Sequence, residues 1–266
     1  MVRRARLDTE LVRRGLARSR EQAVELVQAG RVRVGGQTAT KPATAVGPAT
    51  PVLVEPGDVG PEYASRGAHK LVGALDAFTG LTVASRRCLD AGASTGGFTD
   101  VLLRRGAREV VAVDVGYGQL AWRLRTDPRV RVHERTNVRS LTAADVGGRV
   151  GLTVVDLSFI SLRLVLPALV ACTEPGGDVV PMVKPQFEVG RDRLPAGGVV
   201  RDPEDRAQTV LSVAREAAGL GLGVAGVVAS PLPGPSGNVE FFLWLRAGAP
   251  PVDAGQVRRA VGLGPE

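Results

Sequence analysis

The sequence predicts an α/β fold in which a small α+β domain precedes a doubly wound sheet of seven strands. From residue 71 onward, short β-rich runs alternate with helical stretches, the pattern of a largely parallel sheet covered by helices. A glycine-rich turn follows the first run, as in sheets that bind a nucleotide-like ligand. The seven predicted strands lie at residues 87–90, 109–114, 130–133, 152–156, 178–183, 224–229 and 240–245.

The composition is that of a globular protein with a basic N-terminal segment. The chain has 266 residues, 44% of them hydrophobic, which suffices for a substantial core in one or two domains. Its formal charge is +7, and residues 1–41 hold ten basic side chains against four acidic ones. Basic charge concentrated on one folded segment is typical of proteins that bind a polyanion.

Cysteine usage and hydropathy argue against several other classes. Cys88 and Cys172 have no metal-ligand spacing, so we expect neither a disulfide framework nor a metal site. Charged residues follow Met1 where a signal peptide would have an apolar segment. No apolar run approaches the roughly 20 residues that cross a bilayer. We therefore expect a cytoplasmic protein that makes no contact with a membrane.

The N-terminal region has the pattern of two short helices and a hairpin. Both helices fall within residues 3–30, and the second opens with a capping box at Ser19 and Gln22. Gly30 can close it as a left-handed cap. Residues 31–34 alternate as a strand and lead into a pair of glycines that predicts a tight turn.

Domain boundaries follow from the breaker residues. Residues 56–61 have the Pro and Gly density of a linker. We therefore predict an N-terminal domain of residues 1–60, a linker of residues 61–64 and a second domain of residues 65–266.

Segment 88–100 is the most informative part of the chain. An apolar run ends at Asp90 and enters a turn with three glycines, after which a helix opens at Phe98. Glycines in such a turn let the backbone pass close to a ligand. They are Gly92, Gly96 and Gly97. A tight turn with no ligand is the alternative explanation.

The second predicted strand ends at Asp114, 22 positions after Gly92. A carboxylate about 20 residues beyond the glycine turn of a Rossmann-like unit binds ribose hydroxyls. The glycine spacing departs from G-x-G-x-x-G, and no turn is built to hold a pyrophosphate. This favours S-adenosylmethionine over a dinucleotide and disfavours a nicotinamide oxidoreductase.

Charged residues stand where several predicted strands end, which is where ligands bind on such sheets. They are Asp90, Asp114, Asp156 and Lys184. Lys70 and Glu240 stand in similar segments, in which Pro, Gly or aromatic residues flank the charge. Their convergence predicts an enzyme.

On these residues the chain is identified as a member of the TlyA, or hemolysin A, family of ribosomal RNA ribose methyltransferases. Its second domain resembles the FtsJ class of 2′-O-methyltransferases, and segment 6–32 resembles an RNA-binding domain of the ribosomal-protein-S-four type. The loop at residues 187–203 is also typical of the family. The catalytic tetrad of that class falls on Lys70, Asp156, Lys184 and Glu240. The resemblance implies a Rossmann-like, seven-stranded methyltransferase domain that uses S-adenosylmethionine.

The tetrad suits the chemistry that the resemblance implies. A ribose 2′-hydroxyl must lose its proton as the methyl group arrives, and a lysine can take that proton only as a free amine. Because a neighbouring ammonium or desolvation lowers the pKa of a lysine, the pair Lys70 and Lys184 can favour a neutral amine. We expect Lys184 to be the base and Asp156 to orient it. Lys70 and Glu240 would position the ribose.

The cofactor contacts are expected at the strand ends. Asp114 would bind the ribose hydroxyls, Asn137 the adenine edge and Asp90 the ammonium group. The loop residues expected along the methionine part are Gly92, Ser94, Gly96, Gly97 and Phe98.

Ribosomal RNA within ribosomal subunits is the implied partner. The arginines expected to bind it are Arg6, Arg18, Arg20 and Arg31. A cytidine acceptor, in 16S and 23S rRNA, follows from the resemblance alone. Relatives often carry Arg-x-Trp-Val between the domains, whereas this chain has Pro61-Glu62-Tyr63-Ala64.

Two functions of other classes stay open. A ribosome-binding or assembly factor without catalysis would need only the N-terminal domain. A membrane-active haemolysin, which the older family name suggests, would need an apolar span or a strongly amphipathic basic helix. The intact glycine turn and tetrad favour the enzyme.

Overall fold

A computed structural model of the chain describes residues 4–17, 19–55, 63–234 and 236–265, apart from the side chains of residues 21, 25 and 191. The chain divides into two compact units, Met1–Glu62 and Tyr63–Glu266. Pro61 and Glu62 of the expected linker lie outside the described residues, and so does Arg18. Tyr63 and Ala64 belong to the second unit.

In its described part, the first unit contains two short helices and five short strands. They are β1 (Ala5–Arg6), α1 (Leu7–Arg13), α2 (Arg20–Gln28), β2 (Val32–Val34), β3 (Gln37–Thr38), β4 (Ala45–Val46) and β5 (Val52–Val54). β2 lies between β3 and β5 in an antiparallel sheet, and β1 pairs with β4. The predicted hairpin is confirmed, because Val34 pairs with Gln37. The Ser19 hydroxyl accepts a hydrogen bond from the Gln22 N–H at 3.2 Å, as a helix cap requires.

A buried carboxylate joins the two helices of this unit. Asp8 in α1 is 1% exposed, and its Oδ2 lies 2.7 Å from Arg6 Nη2 and 3.2 Å from Arg20 Nε. Its Oδ1 accepts the Thr9 N–H at 2.8 Å. The hydrogen bonds from Arg6, and then those from Thr9 and Arg20, hold the pKa of the Asp8 carboxyl well below its usual range. Two arginines expected to bind RNA therefore share one buried carboxylate.

The second unit is a helix-covered sheet. Its elements are α3 (Gly67–Ala77), β6 (Arg87–Ala91), α4 (Gly97–Arg104), β7 (Glu109–Val113), α5 (Trp122–Arg125), β8 (Val130–His133), β9 (Val150–Val155), α6 (Leu166–Cys172), β10 (Thr173–Val183), α7 (Pro185–Glu188), α8 (Pro203–Gly219), β11 (Gly223–Ala229), β12 (Phe241–Arg246) and α9 (Ala254–Gly262). Short 3-10 helices lie at Val138–Ser140, Leu162–Leu164 and Arg191–Arg193. In the part of the chain that the structure describes, no helix is long and apolar enough to cross a membrane.

The predicted seven-stranded sheet is confirmed, with strand order β11-β12-β10-β9-β6-β7-β8. The five strands β10, β9, β6, β7 and β8 run parallel to one another. β12 is antiparallel to both β10 and β11. β10 begins at Thr173, five residues before the predicted start, and its pairing with β9 shifts register before Asp178.

Helices cover both faces of the sheet. One core cluster packs α6, α8 and α9 against the strands, and a second cluster packs α3, α4 and α5 against the opposite face. Cys88 and Cys172 are buried free thiols in different clusters. Burial raises the pKa of Cys88 to about 12, which makes it unreactive at neutral pH.

The substitution Asp8→Asn should destabilise the first unit, because Arg6 and Arg20 lose a charged hydrogen-bond acceptor. We expect the free energy of unfolding of α1 and α2 to fall by about 2 kcal/mol, the usual range for hydrogen bonds to a charged group. Amide hydrogen exchange across both helices measures this directly. The folded-state pKa of Asp8 is lowered, so the stabilisation is present above the ordinary pKa of about 3.9 and is lost as pH falls through the lowered value. Equal exchange in both proteins at neutral pH would contradict this role.

Candidate active site

Charged residues of three strands meet at one edge of the seven-stranded sheet. Asp156 follows the last residue of β9, and Lys184 follows the last residue of β10. β12 runs in the opposite direction, and its first residue, Phe241, pairs with Val183. Glu240 therefore lies at the same edge as Lys184, although it precedes its strand.

Lys184 contacts two groups from the loop after β9. Its Nζ lies 2.6 Å from Asp156 Oδ1 and donates a hydrogen bond to Ser158 Oγ at 3.0 Å. The lysine side chain is largely buried, and the Asp156 side chain is one quarter exposed. This ion pair is open to solvent on its carboxylate side.

Lys70 and Glu240 form a second, enclosed ion pair. Lys70 Nζ donates to Glu240 Oε2 at 2.6 Å, and the two side chains are 7% and 1% exposed. Arg66, which precedes α3, donates to the Pro233 carbonyl at 2.9 Å. The Ser230 N–H donates to the Glu240 carbonyl at 2.8 Å. Both partners of the pair are thus held by their own elements.

The four predicted catalytic residues therefore occur as two pairs of opposite charge. The sequence analysis expected the two lysines to act on each other. The structure instead places each ammonium against its own carboxylate. The contact between Lys184 and Asp156 is the one expected if Asp156 orients the lysine. The pairing of Lys70 with Glu240 was not visible in the sequence, because the two residues are 170 positions apart.

The glycine turn after β6 packs tightly against the rest of the site. Gly92 has φ 93°, and a Cβ there would lie 2.2 Å from the Asp156 carbonyl oxygen. At Gly96, with φ 97°, a Cβ would lie 2.3 Å from Leu124. The backbone contact at Gly92 and the positive φ at both positions already favour glycine without a ligand, as the alternative explanation of a tight turn holds.

Asp114, after β7, organises the cleft beside this turn. Its Oδ2 accepts the Ser94 N–H at 2.8 Å and its Oδ1 accepts the Gly116 N–H at 2.6 Å. Gln119 contacts Ser94 Oγ at 3.3 Å. Glu134, directly after β8, also lines this cleft, whose cavity volume is about 10 Å³.

Asp90 is fully buried beneath the glycine turn. Its Oδ2 accepts the Thr99 hydroxyl at 2.6 Å, while Oδ1 has no hydrogen-bond partner among the described residues. Burial above all, with a smaller effect of the Asp156 charge, raises the pKa of Asp90 to about 7. A fully buried carboxyl group cannot contact a ligand directly, so its predicted bond to an ammonium group requires the turn to move.

Two other predicted cofactor contacts have roles within the fold. The Phe98 ring is buried in the core, with its centroid 6.0 Å from that of Phe242, which leaves only the backbone of Phe98 for a ligand. Asn137 Oδ1 accepts the Arg139 N–H at 3.0 Å and caps a 3-10 helix. Its contact with adenine stays a prediction.

Sequence reasoning missed several residues at this edge. Ser158 and Phe159 follow Asp156 closely enough to be suspected from spacing alone. Glu134 follows the third strand in the same way that Asp114 follows the second, so the strand-end rule could have found it. Glu188 gives no local signal, because its partners lie 26 and 27 residues away.

The described RNA-binding candidates differ in their contacts. The Arg6 and Arg20 side chains are 50% and 59% exposed despite their contacts with Asp8. Arg31 donates two hydrogen bonds to the Glu55 carbonyl, at 3.0 and 3.1 Å. Arg31 therefore supports the strand ends of the first unit, and Arg6 and Arg20 present more surface to solvent.

Two further features lie outside this site. Within the described residues, no group of three or more His, Cys, Asp or Glu is arranged to hold a metal ion. A cavity of about 500 Å³ lies between the end of α3, β11 and α9. Its lining includes Phe78, Trp244 and Leu263 and none of the predicted site residues.

Comparison with known proteins gives the family. Residues 63–247 match the model of the FtsJ-like methyltransferase, and residues 5–52 match that of the S4 domain. The chain belongs to the FtsJ-like methyltransferase family. It is 66% identical over 246 residues to the 16S/23S rRNA (cytidine-2′-O)-methyltransferase TlyA of Mycobacterium tuberculosis, covering 92% of this chain and 91% of the relative. The predicted membership of the TlyA family is thereby confirmed.

Other members of the TlyA family carry the hemolysin name. Hemolysin A of Brachyspira hyodysenteriae is 34% identical, covering 89% of this chain and 98% of the relative. A solved structure from Streptococcus thermophilus, of a protein with the hemolysin name, has a TM-score of 0.78 at 38% identity and covers 98% of this chain and 96% of its own. This solved structure is therefore similar in fold to both units of the chain.

The variant Asp90→Asn should change how stability depends on pH. Because the folded-state pKa of this carboxyl is raised to about 7, the unfolded chain releases the proton at lower pH, and stability falls as pH rises from about 4 to about 7. Asparagine cannot ionise, so the variant should not lose stability over this pH range. Its amide oxygen can still accept the hydrogen bond from the Thr99 hydroxyl.

Between about pH 5 and about pH 8, wild type should lose about 3 kcal/mol more than Asp90→Asn. Urea unfolding followed by the fluorescence of Trp122 and Trp244, both in the second unit, measures the difference. Asp76→Asn, at an exposed carboxylate, is the control. Parallel pH profiles for wild type and Asp90→Asn would show that Asp90 ionises normally.

Proposed function

We propose that this FtsJ-like enzyme transfers a methyl group from S-adenosylmethionine to a ribose 2′-hydroxyl, at a cytidine of ribosomal RNA. The observation that carries the proposal is the open Lys184–Asp156 pair beside the glycine turn, with the enclosed Lys70–Glu240 pair at the same edge. The M. tuberculosis relative is named for this reaction on 16S and 23S rRNA, which supports both RNAs as substrates. Such substrates support a cytoplasmic location.

The residues around the small cleft fit S-adenosylmethionine. Asp114 and Glu134 follow adjacent strands and offer carboxylates to the adenosine hydroxyls. The backbone from Gly92 to Gly96 would pass the methionine part. A cavity of about 10 Å³ holds about one water molecule, so side chains that line the cleft, such as Gln119, would have to move before adenosine enters. When bound, the cofactor supplies a methyl group on a sulfonium, which an oxygen nucleophile can take.

Lys184 is proposed to accept the proton of the 2′-hydroxyl. It must first lose its own proton, and Asp156, 2.6 Å away and partly exposed, can relay that proton to solvent. Ser158 accepts a second N–H of the same group and so fixes its orientation. As the oxygen is methylated, its proton passes to Lys184 Nζ. The enclosed pair of Lys70 and Glu240 supplies fixed charges that position the ribose.

An exposed aromatic pair is suited to hold the acceptor base. Phe159 is 91% exposed and has φ 64°, an unfavourable backbone conformation for a residue with a side chain. Its ring centroid lies 5.1 Å from that of Phe187. Exposed rings that stack on bases are common where single-stranded nucleic acid binds. We propose that the base of the acceptor nucleotide stacks on Phe159.

The first unit is proposed to supply RNA affinity. Its S4-domain match and the excess of basic side chains in residues 1–41 support phosphate contacts, which dominate such binding. Arg6 and Arg20 share one acceptor and keep at least half of their side-chain surface exposed. A phosphate can therefore reach both.

Two substitutions at Lys184 separate charge from proton transfer. Lys184→Ala should lower methyl transfer by about 10² to 10⁴-fold, the range for loss of a general base, with little change in cofactor affinity. Lys184→Arg keeps a cation beside Asp156 but cannot release its proton, so it should be equally inactive. Single-turnover transfer of labelled methyl to ribosomal subunits and calorimetric titration with S-adenosylmethionine measure the two effects. Activity of the arginine variant within a few-fold of wild type would exclude Lys184 as the proton acceptor. Wild type that binds subunits without methylating them would instead favour an assembly factor.

The double variant Arg6→Gln with Arg20→Gln tests the RNA-binding surface. Glutamine still donates a hydrogen bond to Asp8, so the unit should fold while two charges are lost. The slope of log affinity for rRNA against log salt should flatten by about 0.7 to 0.9 for each phosphate contact removed. Arg105→Gln with Arg129→Gln removes two similarly exposed, ion-paired arginines of the second unit and is the matched control. Identical slopes for the two double variants would remove Arg6 and Arg20 from the RNA interface.

A further inference from the structure

Two loops at the edge of the sheet contact each other at several points along their length. The first loop, residues 156–162, follows β9, and the second, residues 184–188, follows the neighbouring parallel strand β10 and includes α7. Contacts between them occur in the same order along both loops. They join Lys184 to Asp156 and Ser158, Phe187 to Phe159, and Glu188 to Ser161 and Leu162.

Glu188 makes the most buried of these contacts. Its side chain is 1% exposed. Its Oε2 accepts the Ser161 hydroxyl at 2.6 Å, and its Oε1 accepts the Leu162 N–H at 2.7 Å. Arg163 Nε lies 3.6 Å from Oε2. Burial raises the pKa of Glu188, and these donors oppose that effect.

The other contacts between the loops restrain them less than Glu188 does. The Phe159 ring is 91% exposed, so it contributes little burial to hold the first loop. The Asp156 side chain is one quarter exposed, so solvent partly screens its attraction to Lys184. α7 has four residues, too few to be stable without tertiary contacts. Glu188 lies one helical turn after Lys184, so a bond at Glu188 restrains both the helix and the lysine.

We propose that Glu188 is a positioning residue that fixes the first loop against α7 and thereby keeps Lys184 in contact with Asp156 and Ser158. Its side chain is enclosed by the protein, so we expect it to act through Lys184 and not on substrate or cofactor directly. The effect on turnover rests on the proposed function, because it assumes that Lys184 takes the proton. The effect on the position of Lys184 does not.

Turnover and binding should respond differently to substitution. Glu188→Ala leaves the Leu162 N–H unpaired and frees the loop, so kcat for methyl transfer should fall by about 10²-fold, the scale for a displacement of about 1 Å in a catalytic group. KM for RNA and the affinity for S-adenosylmethionine should stay close to wild type. Glu188→Gln can accept from Leu162 and donate to Ser161, so it should restore kcat.

Asp178→Ala is the matched control. Asp178 is equally buried and accepts hydrogen bonds from Arg86 and Trp244, but it pairs with Arg246 at the far end of β12. Both alanine variants should lower the thermal midpoint, and only Glu188→Ala should lower kcat. If Glu188→Ala does not fold, Ser161→Ala removes one of the two bonds and should lower kcat without changing KM. A kcat for Glu188→Ala no lower than that of the control would overturn the proposal, as would full activity of Ser161→Ala in the case where Glu188→Ala is unfolded.

Lysine acetylation tests the position of Lys184 without any substrate. The chain has three lysines: Lys41 is exposed, and Lys70 and Lys184 are buried. Under limiting acetic anhydride, the rate at Lys184 relative to Lys41 should rise severalfold in Glu188→Ala and stay at the wild-type ratio in Glu188→Gln and Asp178→Ala. An unchanged ratio in Glu188→Ala would overturn the proposal even if its turnover falls. A wild type that methylates no RNA but shows the expected labelling would refute the proposed function and leave the positioning role supported.

Discussion

The reversed direction of β12 is the constraint on which the site depends. In a wholly parallel sheet, a residue that precedes a strand lies at the edge opposite to the residues that follow its neighbours. Because β12 is antiparallel to β10, Glu240 stands across from Lys184 at the register pair Val183 and Phe241. One edge of the sheet can therefore hold charges from before one strand and after two others.

The two ion pairs at this edge differ in their exposure, and that difference suits different tasks. Lys70 and Glu240 are enclosed, and removing either would leave a buried charge without its partner, which is costly. Lys184 and Asp156 are more open, so protons can be exchanged with solvent there. In the proposed reaction, the enclosed pair would stay fixed and the more open pair would take up and release the proton of the hydroxyl.

Local sequence patterns predicted the parts of the site that lie at strand ends. Asp114, Asp156 and Lys184 were found because alternating helices and strands fix where each strand ends, and the carboxyl ends of parallel strands share an edge. All seven strands were predicted for the same reason. Lys70 lies on a helix and has no strand-end signal. The residues that flank it singled it out, and the resemblance to a known family then gave it a place in the tetrad.

Long-range contacts and packing could not be predicted in this way. The pairing of Lys70 with Glu240 and the contacts of Glu188 depend on which segments meet in space. Gly92 was correctly singled out, but its requirement comes from the Asp156 carbonyl 2.2 Å from where a Cβ would lie. Phe98 lies in a motif that suggests ligand contact, yet its ring belongs to the core. A motif identifies positions under constraint and does not say what constrains them.

In the proposed reaction, the methyl group goes to a ribose oxygen of ribosomal RNA. The most direct measurement supplies the full-length protein with S-adenosylmethionine deuterated in the methyl group and with ribosomal subunits from cells that lack the enzyme. The RNA is then digested to nucleosides and analysed by mass spectrometry. We expect deuterium in 2′-O-methylcytidine, and we expect it to stay on the ribose after the base is removed. Deuterium on a base, or no transfer to RNA by a protein that binds the cofactor, would contradict it.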